Sequence, residues 1–270
     1  MIRLLKIELQ KLWPNRAFKW LSSLYLIALT IIAVGVMPFL NYLKSKIEDF
    51  DIDGVDPTII PFYEFPDIWQ NLTSVAIWFK LLLGLSLIFS IANEFSYRTI
   101  RQNVIDGLSK YEFIWSKIIL AGFLAAASAI TLFVLGLITG LIYSSEISFV
   151  LVFEDVYFLL VFFLQLFAFL LFTLFVGTLI KKSIIAMGVL VFWIFAVENG
   201  FYIWGQVKEH EWIEYLLPVK SINALIHNPF PKYIFMEIQD FVTFPEIALV
   251  AGWGTLFYWA IIRLVVKRDL

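Results

Sequence analysis

The residues equipped for chemistry are few, and their spacing disqualifies most of them. The chain has no Cys, so it holds no disulfide, no thiolate nucleophile and no Cys-ligated metal. Its two histidines are His210 and His227. The run His210-Glu211-Trp212-Ile213-Glu214 opens like the zinc-binding H-E-x-x-H pattern, but Glu214 stands where the second imidazole belongs, so no metal site is expected. Asp51-x-Asp53 lacks the Gly and terminal Glu of a calcium loop and reads as solvated acidic loop. None of the 13 glycines precedes a Lys, so the phosphate-binding Gly-Lys-[Ser/Thr] sequence is missing and no P-loop is expected. No catalytic residue stands out.

Two charges remain conspicuous because their neighbours are apolar: Lys80 and Glu198, the latter followed by Asn199. Ionisable groups inside apolar helices face a protein interior or a wet cavity. At ~1.5 Å per residue, both lie roughly 9–10 Å inside the same end of their helices. Matched depth allows an ion pair, which offsets part of the desolvation cost. Outward snorkelling of Lys80 and protonation of Glu198 are the competing readings.

The elements that position these residues follow from composition. Of 270 residues, 61% are apolar and 16% charged, and mean hydropathy is +0.87. Soluble domains carry about 45–50% apolar and ~25% charged residues. A water-soluble fold is excluded, and a formal charge of -2 argues against a nucleic-acid binder. Six continuous apolar runs meet the ~20-residue requirement for a spanning helix: 18–40, 73–91, 118–142, 156–180, 183–204 and 247–266. The runs do not alternate, which favours helices over barrel strands. The expected fold is thus an all-α polytopic membrane protein, a single transmembrane domain over residues 1–270. The first run is too long for a signal-peptide core and reads as a retained span. Seven Phe in the fourth run suggest lipid contact and packing.

Charge orients the spans. The ends and loops that share a side with the N-terminus hold 14 Lys and Arg against 5 acids, and the other side holds 5 against 16. Lys and Arg accumulate on the cytoplasmic side, so both termini are expected there.

Two connecting segments carry pattern. In residues 1–16, Ile2, Leu5, Leu9 and Leu12 recur at helical spacing beside Arg3, Lys6 and Lys11, and Pro14 ends the run. This predicts an interfacial amphipathic helix on membrane lipid, with its basic face toward anionic headgroups. A basic flank without helix is the plainer alternative. In residues 93–117, Tyr97, Ile100 and Val104 share a helical face, Gly107 suits a left-handed helix end, and Ser109-x-x-Glu112 is a capping box. A short helix parallel to the membrane results, fit to dock a soluble partner or to act as a simple connector. On the far side, the loop 205–244 is long and aromatic, and Leu216-Leu217-Pro218 marks an interfacial or re-entrant turn. Gly136-x-x-x-Gly140, with Ala121, Ala125 and Ala129, gives the third span a small-residue packing face.

Three features together make the layout resemble the ABC-2 type transporter permeases, the membrane subunits of ATP-binding-cassette exporters. These are Leu4-Leu5-Lys6-Ile7-Glu8…Asn15-Arg16, then Asn93-Glu94-Phe95…Arg98-Thr99-Ile100-Arg101 with Ser109-Lys110-x-Glu112…Lys117, and the six spans themselves. The resemblance implies that Glu94, Tyr97, Arg98, Ile100, Arg101, Val104, Ser109 and Glu112 couple the chain to a cytoplasmic ATPase dimer. It implies a second permease copy or paralogue, ATP and Mg held by the partner, no cofactor and no enzymatic activity in this chain, and a bacterial inner (plasma) membrane. It also places Lys80, Glu198 and Asn199 near a pathway between spans two and five. The residues alone leave open a secondary transporter or channel, or a non-transporting scaffold or immunity subunit. Only Lys80 and Glu198 speak for the former, both off-centre and without paired repeats.

Overall fold

In a computed structural model, residues 2–49, 61–97, 99–105, 107–210, 212–230 and 241–266 are described. Among them the secondary structure is helical, with no strand. Helix α1 (Ile2–Leu12) is followed by α2 (Arg16–Asp49). Asn15 starts α2, its Oδ1 accepting from the Ala17 and Phe18 N–H groups at 3.0 and 3.3 Å. The second rod is compound: α3 (Ile68–Ala76), a tighter 3-10 turn over Ile77–Phe79 and α4 (Lys80–Ser96). A short α5 (Thr99–Ile105) leads to α6 (Lys110–Tyr143). Then come α7 (Phe149–Glu154) and α8 (Tyr157–Ile180). The fifth rod is α9 (Ser183–Phe192), a π-helical turn at Trp193–Val197 and α10 (Glu198–Val207). Two small helices, α11 (Ile213–Leu216) and α12 (Pro218–Ala224), precede α13 (Phe244–Val266).

Six of these rods are long and apolar enough to cross a membrane: Arg16–Lys46, Ile68–Ser96, Lys110–Tyr143, Phe149–Ile180, Ser183–Val207 and Phe244–Val266. They coincide with the six apolar runs, but the second, third and fourth begin earlier than hydropathy indicates. Capping decides the third: Ser109 fixes the start of α6, so Lys117 lies inside the helix rather than before it.

Helix α8 is the hub and packs against α4, α6, α9 and α13. Phe158, Phe162, Phe169 and Phe172 are buried, so of the lipid contact and packing their number suggests, packing takes most of its phenylalanines. Close approach depends on small residues. A Cβ at Gly84 would lie 2.9 Å from Phe169 and Thr173, and one at Gly136 would lie 2.8 Å from Trp69. The Gly136 and Gly140 face therefore receives Trp69 and Phe65 from within the same chain. Trp69 is further fixed by its indole N–H, which donates to the Val152 carbonyl at 2.8 Å. The bundle's outer surface carries Trp20, Ile31, Ile130, Ile138, Ile184, Phe195 and Trp259, all exposed. Such a continuous apolar surface is incompatible with water and suits hydrocarbon. The chain is a multi-pass membrane protein.

The two ends of the bundle differ. One, the basic end, gathers α1, α5, the start of α6 and the turn after α8. Lys181 makes that turn with φ +62°, and its carbonyl accepts from Ser96 Oγ at 2.8 Å. The other, the acidic end, gathers α3, α7, α11 and α12.

Candidate functional site

Polar side chains buried in an apolar bundle must find partners, and they do so in two clusters, one at each end. At the basic end the centre is Lys117, fully enclosed about two turns into α6. Its Nζ lies 2.6 Å from Glu8 Oε2 on α1 and 3.2 Å from Ser90 Oγ, and it pairs with Glu94 near the end of α4. Ser116 Oγ donates to Glu8 Oε1 at 2.9 Å. Lys11 closes the cluster, 3.6 Å from Glu8 and 3.7 Å from Glu94. Burial pushes the Glu8 carboxyl up, but Lys117 outweighs it with help from Lys11 and Ser116, holding it below the usual carboxylate range. Three helices are thereby locked at one point. Removing one partner from such a cluster is costly, because a buried charge is left behind.

Sequence reading placed Glu94 in a coupling loop and counted Lys117 among loop cations. It gave Glu8 a place in the N-terminal motif but no partner. The signal was present: Glu8 follows Leu5 by three residues and precedes Leu12 by four, so it shares the apolar face of α1. A carboxylate on that face needs a buried cation, and Lys117 is flanked on its helix by Phe113, Ile114, Leu120 and Ala121, all buried.

Helix α5 sits beside this cluster. Thr99 Oγ1 donates to the Glu94 carbonyl at 3.2 Å. Gly107 has φ +95°, as expected for the residue that ends the segment. The Ser109 capping box is formed in both directions. The Glu112 N–H donates to Ser109 Oγ at 3.1 Å, and the Ser109 N–H donates to Glu112 Oε2 at 2.9 Å. The outward apolar face is not as expected. Ile100 is 3% exposed and belongs to the core, whereas Tyr97 and Ile105 are 76% and 77% exposed. A seven-residue helix laid on a bundle end must turn one face inward, and Ile100 occupies it. Arg98 and the side chains of Arg101 and Val104 lie outside the described residues, as do Asp51 and Asp53. A polar hollow of about 460 Å³ opens between α1, α4 and α5, lined by Lys11, Asn15, Asn93, Glu94 and Gln102 among others. In α1 itself, Leu12 is buried, Leu5 and Leu9 are partly covered and Ile2 is exposed.

At the acidic end Lys80 and Glu198 are both buried, as their surroundings predicted, yet no direct ion pair joins them among the described residues. Helix α12 takes the bonds that each offers. Glu198 accepts the Val219 and Lys220 N–H groups at 2.9 and 2.8 Å and the Trp193 indole N–H at 2.8 Å. These backbone donors sit in the first turn of α12, after Pro218, where no intrahelical acceptor exists. At the other end of α12, Gln165 Nε2 donates to the Ile222 and Asn223 carbonyls at 2.7 and 3.3 Å. Lys80 Nζ donates to Asn223 Oδ1 and lies 4.8 Å above the Phe169 ring. An anion at the first turn and donors at the last complement the helix dipole. A short helix is thus held by side chains from the second, fourth and fifth rods, and Leu216-Leu217-Pro218, the place predicted for an interfacial or re-entrant turn, joins the end of α11 to its start.

Asn199 does not join this cluster. It is on the surface and donates to the Phe195 carbonyl of its own helix at 3.0 Å. His227 pairs with Glu246 at 2.9 Å, and His210 packs on Trp204 with ring centroids 6.2 Å apart. Among the described residues no three His, Asp or Glu side chains converge on a metal site.

A search among curated proteins finds no match to the chain. Residues 57–265, most of the chain and all of both helical ends except α1 and α2, match the family described as "Protein of unknown function (DUF2705)". The chain belongs to that family.

Proposed function

We propose that the protein is the permease subunit of an ABC exporter, working as a dimer with itself or a paralogue and driven by separate cytoplasmic ATPase subunits. The observation that carries this reading is the construction of the basic end. Helix α5 is short and ends on the outward Ile105, it follows the outward Tyr97 that caps α4, and it is rooted at Glu94 in a buried cluster that also grips α1 and α6. A displacement applied to α5 has a stiff path into two spans, which is what a partner-driven transporter requires. On this reading the basic end is cytoplasmic, in line with the 14-to-5 excess of cations over acids there. The membrane is the bacterial inner membrane, and ATP and Mg belong to the partner, so this chain is not itself the hydrolase. The bonds of Lys80 and Glu198 are committed to α12, which favours a gate at the far end over an ion-translocating pair.

The test is purification in mild detergent, following retention of an ATPase subunit and ATP turnover. Wild-type chain is expected to retain an ATPase whose turnover rises with the reconstituted complex. Tyr97→Asp and Ile105→Asp, both at exposed positions, are expected to lose it without unfolding the chain. Normal retention and turnover in both variants would remove α5 as the docking element, and absence of any ATPase on the wild-type chain would overturn the permease reading.

A further inference from the structure

Helix α1 has two faces with different occupants. One is spoken for: Glu8 and Leu12 are buried against α6 and the end of α4. The other is a groove of about 560 Å³ along Ile2, Leu5, Leu9, Trp13 and Pro14, with Lys6 and Gln10 on its rim. Trp13 is 77% exposed at one end of it, and Lys19 Nζ from α2 stands 5.5 Å over the indole ring. The charges around the groove have one sign. Glu8 is the sole acid in the first 24 residues, and it is turned away into its cluster. Arg3, Lys6, Arg16 and Lys19 are all exposed. Of the acids on packed neighbours, Glu94 of α4 is taken up by Lys117 and Lys11, and Glu112 of α6, which feels Arg3, is occupied with Ser109.

We propose that this groove is a binding site for an anionic phospholipid, with an acyl chain along Leu5, Leu9 and Trp13 and the headgroup phosphate between Lys6 and Lys19. Volume and lining suit a hydrocarbon chain, since sites of roughly 300–1,000 Å³ with mostly apolar walls take small ligands. Charge selects the lipid. A cluster of four exposed cations, with the partly exposed Glu112 beside Arg3 as an acidic neighbour, attracts an anionic headgroup over a zwitterionic one, at roughly fivefold per cation. An indole at the polar–apolar boundary fits the same position. This site goes beyond interfacial lodging of an amphipathic helix, because it places a single lipid at named residues. Through Glu8 on its opposite face, the lipid's presence bears on α4 and α6.

The experiment uses the full chain in nanodiscs and needs no ATPase, so its outcome is independent of the permease reading. Phosphatidylglycerol or phosphatidylcholine with brominated acyl chains is added at equal mole fraction, and tryptophan quenching is read for wild type and Trp13→Phe. The difference between the two chains isolates Trp13 from the ten tryptophans. Brominated phosphatidylglycerol is expected to quench Trp13 at several-fold lower mole fraction than phosphatidylcholine. Lys6→Gln with Lys19→Gln should bring that preference close to unity. Raising salt should erode it in the unmodified chain, which keeps the test valid should the double variant fold poorly. Equal quenching by both lipids, insensitive to salt, would overturn the proposal in favour of unselective interfacial contact. Absence of Trp13 quenching by either lipid would overturn it in favour of a protein covering the groove.

Discussion

Lys117 is the residue on which the basic end depends. Its ammonium is shared by Glu8, Glu94 and Ser90, and Lys11 only approaches the two carboxylates from outside. Lys117→Met leaves Glu8 buried without its main partner, and the expected loss is about 3–5 kcal/mol. Lys117→Met combined with Glu8→Gln should be less damaging than the sum of the two single changes, because the orphaned charge goes with its partner. Additive losses in detergent unfolding would show that the two do not share a cluster. Acid provides a second probe. Glu8 is held below the ordinary glutamate value of about 4.5 in the folded protein, with Lys117 and Lys11 as the cations and Glu94 as the carboxylate facing it. A lowered folded value means the unfolded state binds the proton more readily. The stabilisation is therefore complete at neutral pH and fades as pH falls from about 4.5 through the lower folded value. Unfolding midpoints of the wild type should drop over that window, and Glu8→Gln should flatten the part of the drop that Glu8 contributes.

Helices α5, α6 and α12 show how far local rules reach. The Ser109 capping box and the Gly107 turn are legible because both follow from one residue's conformation or hydrogen bonds within a single turn. Ser109→Ala should accordingly cost only about 1 kcal/mol, read as a small shift in the unfolding midpoint. The direction in which α5 faces was not legible. Tyr97, Ile100 and Val104 mark one stripe by spacing, but which side of a two-turn helix meets the bundle is decided by the bundle. The six long helices were readable for the same reason that α7 and α11 were not: a long apolar run is a property of its own residues, while a one-turn helix exists only where neighbours hold it. Lys80 and Glu198 lie between these cases. Their burial followed from their surroundings, and their bonding did not, because α12 arrives from a loop some twenty residues downstream of Glu198. The clasp on α12 makes a sharp prediction. Each charge-assisted bond to its first turn contributes about 1.5–3 kcal/mol, so Glu198→Ala should release that turn from the bundle. Cysteine at Ser221, a buried position, should be slow to react with a water-soluble thiol reagent in the otherwise wild-type chain and fast in the Glu198→Ala chain. Equal rates would mean that α12 is held by its apolar contacts alone.

At the scale of the whole molecule, the two ends are built for different tasks. The basic end concentrates stiffness: a buried three-helix ion cluster, a capped helix start and a short surface helix. The acidic end folds its loop inward, so that α12 covers the polar side chains of three rods instead of leaving them to solvent. That asymmetry matters for function only if the ends face different compartments, and the distribution of cations gives the proposed orientation. Lys and Arg resist translocation, so the end with 14 cations and 5 acids is expected inside and the end with 5 and 16 outside. Because the chain has no Cys, single cysteines can be read without background. Ser45 and Ser145 are exposed toward the acidic end, and Ser109 is exposed at the basic end. Cysteines at the first two positions should label from outside intact cells with a membrane-impermeant maleimide, and one at Ser109 should label only after the cells are opened. Outside labelling at Ser109 would invert the molecule. Docking of a cytoplasmic ATPase on Tyr97 and Ile105 would then be geometrically closed, and the groove on α1 would face the outer leaflet. Labelling at Ser45 but at neither Ser145 nor Ser109 would break the even number of crossings instead, pointing to α6 as the helix that fails to span.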